Sequence, residues 1–140
     1  DIEKTLIFWT AENPLVTIFS TGYMTHYALL AAKELEQENI QVLVANVATI
    51  KPLDEKTILS VIEKTKSAVT VEDHQVAGGL GGAIAEFTAK TIPTPMEFIG
   101  LQDTFAESGS PKELVEKYEM GKNAIKEAVR KVINRKISNF

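Results

Sequence analysis

The 140-residue chain carries 15 basic and 19 acidic residues, a formal net charge of −4, 44% hydrophobic residues and no cysteine. This is the composition of a soluble globular domain large enough for its own core, and it excludes disulfides and thiolate metal sites. The acidic balance argues against nucleic acid as a partner, a total of 2 histidines argues against a dedicated zinc site, and no apolar run approaches the ~18 residues that span a membrane.

No secretory leader pattern precedes the first element, so the expected location is the cytoplasm. The sequence opens at Asp1 instead of Met, which reads as a processed chain or a piece of a longer one. The predicted elements then follow in order. Residues 1–15, with Leu6-Ile-Phe-Trp9, form an edge strand or a hairpin. Val16-Thr-Ile-Phe-Ser-Thr21 is a β-rich run ending at Gly22, and residues 23–37 carry Tyr27, Leu30, Ala31 and Leu35 at helical spacing. Asn39 closes that helix, and residues 41–47 read as the next strand. Asp54 is placed to cap a helix whose apolar face holds Ile58, Leu59 and Ile62.

Residues 67–71 read as strand and residues 72–82 as a glycine-rich loop. A helix then runs through Ala83, Ile84, Phe87 and Thr88 until Pro93 and Pro95 break it, and Met96-Glu-Phe-Ile99 is a further core strand. Ser110-Pro-Lys-Glu113 is a capping box with proline at the first helical position, and the last helix carries Ile125, Val129, Val132 and Ile133. The basic residues Lys126, Arg130, Lys131, Arg135 and Lys136 read as solvated cations complementing the dipole at the end of that helix.

Strands alternating with helices predict an α/β fold in one domain over residues 1–140. Its expected form is a three-layer αβα arrangement with a mostly parallel sheet of about five strands. Right-handed crossovers put the strand carboxyl ends on one crest. Residues 22–26, 47–53, 72–82 and 100–110 are expected along it.

The crest carries the candidate site. Gly79-Leu-Gly81-Gly-Ala-Ile84 has the first two glycines of a dinucleotide fingerprint but isoleucine where the third belongs, and no Lys-Ser or Lys-Thr pair follows as in a phosphate loop. Gly78, Gly79, Gly81 and Gly82 are better read as letting a strand turn sharply into a helix. The amides at that helix's start can take an anion, or a carboxylate from another subunit. His26, Glu72, Asp73 and His74 bring histidine beside carboxylate, the usual acid–base pairing. With no paired serine or cysteine nucleophile and no metal-ligand spacing, interface or helix-capping roles take precedence. In Asp103-Thr-Phe-Ala-Glu-Ser-Gly109, Phe105 is expected to anchor the loop in the core or on a partner.

The order of these motifs goes further than their chemistry. Residues 16–22, Thr49-Ile-Lys-Pro-Leu-Asp54, Val71-Glu-Asp-His74 with Gly78-Gly-Leu-Gly81, and Asp103–Gly109 together resemble the C-terminal domain of transketolase over residues 16–135. The better fits are forms with a short C-terminal arrangement, including the split archaeal and bacterial type. Thr49–Asp54 alone also resembles the equivalent domain of 2-oxoacid dehydrogenase beta subunits and of deoxyxylulose-phosphate synthase. One departure is Glu119 where such chains often carry glycine; another is Gly121 at the usual polar N-cap, so the resemblance places the start of the final helix there.

The resemblance implies an enzyme that uses thiamine diphosphate and a divalent metal such as magnesium to move two-carbon ketol units between sugar phosphates. The cofactor would lie between the pyrimidine-binding and diphosphate-binding domains of a homodimer. This chain holds neither the Gly-Asp-Gly nor the Asn-Asn element of the metal motif, so no catalytic, cofactor-binding or metal role passes to its residues. What remains is domain packing and dimer assembly, with His26, His74 and the amides of residues 79–82 available for a regulatory ligand. An autonomous small-ligand-binding module is the rival from another class.

Overall fold

A computed structural model describes residues 4–102 and 110–138. The Asp103–Gly109 motif, with Phe105, lies outside them. Among the described residues the order is β1 (Leu6–Thr10), β2 (Val16–Ser20), α1 (Met24–Gln37), β3 (Val42–Asn46), α2 (Glu55–Thr65), β4 (Ala68–Asp73), α3 (Gly79–Thr91), β5 (Met96–Leu101) and α4 (Pro111–Ser138), with a 3-10 turn at His74–Val76. The strands form one sheet in the order β1-β3-β2-β4-β5, parallel except for β1, which pairs antiparallel with β3. The segment before Val16 is therefore an edge strand. It does not form a hairpin with β2, because its partner is β3.

Alternation along the strands builds two cores. Val16 and Ile18 of β2, Val42 and Val44 of β3, and Val69 and Val71 of β4 face α1 and α4, where Tyr27, Ala28, Ala31, Leu35, Ile125, Val129 and Val132 cover them. Phe19, Leu43, Ala45 and Ala68 face the other way, onto Ile58 and Ile62 of α2 and Leu80, Ile84 and Phe87 of α3. The result is the expected αβα layering. Strands buried on both faces read as nearly continuous apolar runs, which is why they were legible.

The helix ends have local causes. Asn39 takes φ 63° after α1, and the Ile40 amide bonds to the Leu35 carbonyl at 2.8 Å. Asp54 accepts from the Thr57 amide at 3.2 Å and from the Thr5 amide at 2.8 Å, so one carboxylate caps α2 and fastens the start of β1. The Ser110 hydroxyl accepts from the Glu113 amide at 3.2 Å, with Pro111 opening α4.

Four expectations change. Leu30 lies on the outer flank of α1 and is exposed, while Ala28 and Ala32 take the core positions beside it. β4 runs on to Asp73, and α3 begins at Gly79, so three glycines of the loop are helical. α4 is one continuous helix of 28 residues, with no new start at Gly121. Gly121 is buried mid-helix because the Tyr27 ring fills the place its side chain would take: a Cβ there would lie 2.4 Å from Tyr27 Cδ1.

The basic run of α4 also does more than meet a dipole. Lys126 bridges Glu34 of α1 and Glu38 just past its end at 2.9 and 2.8 Å, Lys122 pairs with Glu34 and Glu119, and Arg130 pairs with Glu38. Hydrogen bonds from Lys122 and then Lys126 hold Glu34 below its usual range, and hydrogen bonds from Lys126 and then Arg130 do the same for Glu38. These pairs are partly screened by water and fix the angle of α4 on α1 more than they stabilise it. Lys136 donates to the Leu15 carbonyl at 3.2 Å and to the Thr65 carbonyl, and burial, then Lys66, lower its pKa.

Candidate functional site

The crest is where β2, β3, β4 and β5 end. At its centre the hydroxyls of Ser20 and Thr25 share a 2.8 Å hydrogen bond, and the Asn46 amide donates to Thr25 Oγ1 at 2.7 Å. The Val47 amide adds a bond to the Ser20 carbonyl at 2.8 Å. This network locks the first turn of α1 to the ends of two strands. The sequence reading missed Thr25 and Asn46, and their polar character at the end of apolar runs was the available signal.

Glu72 is the most constrained acid on the crest. Its position in β4 has the parity of Thr70, so it points to the α3 side of the sheet. There its carboxylate accepts from the Leu80 amide at 2.9 Å through Oε1 and from the Gly81 amide at 2.9 Å through Oε2, with only 4% of the residue exposed. The first-turn amides of α3 thus hold a carboxylate of their own chain, in the geometry a helix start offers to any anion. Gly78 caps the helix at φ 100°, a left-handed conformation that favours glycine, and its carbonyl accepts from the Gly82 amide at 2.9 Å. Gly81 is needed for a different reason: a Cβ there would lie 2.7 Å from Phe98 Cδ1 and 3.0 Å from Thr70 Oγ1.

The remaining candidates separate. Asp73 accepts from the Gln75 amide at 2.9 Å and so caps the 3-10 turn. His74, exposed, begins that turn, which lies against Gly100 at the end of β5. Together with Tyr27, Leu101, Lys117 and Met120 it lines a cavity of about 410 Å³ on the α1/α4 side. His26 sits in the first turn of α1, exposed, and lines neither that cavity nor the crevice described next. The structure therefore joins Glu72 to Gly79, Leu80 and Gly81, and leaves the two histidines in different surroundings.

A crevice of about 640 Å³ opens between the end of β2 and the start of α3, lined by Thr21, Gly22, Asn46, Lys51, Glu72 and Gly79 among others. It lies where α1 leaves β2 toward one face and α3 leaves β4 toward the other, the place where open α/β sheets diverge. Its chemistry does not suit a metal diphosphate. Among the described residues no three His, Cys, Asp or Glu side chains converge on a metal position. The first-turn amides of α3 already face a carboxylate, whose charge opposes a second anion. Among the described residues no helix is long and apolar enough to cross a membrane.

Layers and sheet order define a doubly wound α/β domain whose glycine-rich helix start is occupied by a carboxylate of its own chain. The family model for the transketolase C-terminal domain matches residues 9–125, and the chain belongs to that family. It is 42% identical over 125 residues to a 6-deoxy-6-sulfo-D-fructose transketolase subunit of Clostridium sp. (strain MSTE9), covering 89% of this chain and 39% of that protein. It is 34% identical over 119 residues to a 1-deoxy-D-xylulose-5-phosphate synthase of Caldanaerobacter subterraneus subsp. tengcongensis, covering 84% of this chain and 19% of that one. A solved split-gene transketolase, described as an inactive beta4 tetramer, superposes with a TM-score of 0.76 at 35% identity, over 94% of this chain and 42% of that one. The chain spans well under half the length of each of these relatives.

Proposed function

We propose that this chain is the noncatalytic C-terminal portion of a thiamine diphosphate-dependent transketolase, one that transfers two-carbon ketol units between sugar phosphates in the cytoplasm. It would act as one packing domain beside pyrimidine-binding and diphosphate-binding domains, on the same polypeptide or a separate subunit. The observation that carries this reading is the Glu72 carboxylate seated on the first turn of α3. A family member whose one glycine-rich helix start is filled by its own acid has no place there for a cofactor diphosphate. Its crest, with His26, His74 and Gly78 exposed and Asp73 half-buried, is left to meet neighbouring domains. Self-association is part of the proposal, supported by the tetrameric state named for the similar split-gene chain.

The test is calorimetry and activity in parallel. The chain alone, titrated with thiamine diphosphate and magnesium, is expected to give no saturable heat and no ketol transfer from xylulose 5-phosphate to ribose 5-phosphate. Reunited with the pyrimidine-binding and diphosphate-binding domains, it is expected to support transfer. Saturable cofactor binding or transfer by the chain alone overturns the reading. The 34% identity to a deoxyxylulose-phosphate synthase favours a second reading within the same family. Turnover of a 2-oxoacid donor and none of xylulose 5-phosphate would select it.

A further inference from the structure

We draw no further inference here: the strongest candidate, the exposed apolar patch of Leu6, Ile7 and Phe8 on the outer edge of β1, has nothing in the structure to show what covers it.

Discussion

Glu72 and Gly81 fit each other only because Gly81 has no side chain. Glu72 Oε2 accepts the Gly81 amide at 2.9 Å and lies 3.2 Å from where a Gly81 Cβ would stand. Gly82, next in the helix, has nothing within 4 Å of the same position. Gly81→Ala is therefore expected to cost about 1–3 kcal/mol as Phe98 and Thr70 are displaced. Gly82→Ala is expected to stabilise the chain by about 0.5–1 kcal/mol, the usual gain of alanine over glycine in a helix. Urea unfolding of the two variants side by side checks the opposite signs; equal shifts would refute the packing account.

Replacing Glu72 by glutamine keeps the shape and removes one acceptor, so an amide N–H is turned toward a backbone N–H in a site that water barely reaches. A loss of about 1–3 kcal/mol is expected, as for a buried donor left unsatisfied. Hydrogen exchange should localise it: the Leu80 and Gly81 amides are expected to exchange faster while those late in α3 keep their protection.

Tyr27 and Gly121 set the distance between α1 and α4. Alanine is ordinarily the better helix former, yet Gly121→Ala places a methyl 2.4 Å from the ring of a residue that is 1% exposed. Here the clash decides the sign, and a loss of about 1–3 kcal/mol is expected. Tyr27→Leu in the same chain should recover part of it, which a double-mutant cycle would measure.

The pH dependence follows from Asp54, Glu34 and Glu38. Burial raises the Asp54 pKa, but the Thr5 amide, the Thr57 hydroxyl and amide, and Lys4 outweigh it and leave the group below its ordinary 3.8. Lys122 and Lys126 lower Glu34, and Lys126 and Arg130 lower Glu38. A carboxylate depressed on folding contributes stability above its unfolded pKa, and that contribution is lost as pH falls through the folded value. Urea midpoints are expected to be level from pH 7 to about pH 5 and to drop below about pH 4. Asp54→Ala is expected to cost about 1–2 kcal/mol at pH 7 as a lost helix cap. Asp54→Asn removes the titration, so its deficit against the unmodified chain should narrow toward pH 3 if the assignment is right.

Much of this was legible in the sequence because it is local. Val16–Ser20 and Val42–Asn46 are apolar on both faces, as parallel strands must be. Asp54 and Ser110 stand at helix starts, and Asn39 tolerates the left-handed turn that ends α1. The ordered motifs, together with the family they resemble, followed from the same letters. The crest was legible as a place and less so as a set of contacts. His26 and His74 share it in the sequence yet occupy different surroundings, since side-chain direction depends on how each turn packs.

What the sequence by itself determined was the run of elements, the αβα class and the family, since hydrophobic period, caps and motif order are properties of short stretches. Only the tertiary structure decided which carboxylate sits on α3, why α4 passes through Gly121 unbroken, and which edge of the sheet is left apolar. Each of these depends on atoms brought together from distant positions: Glu72 with Gly81, Tyr27 with Gly121, β1 with β3. A one-dimensional pattern records the residue types and not their meeting.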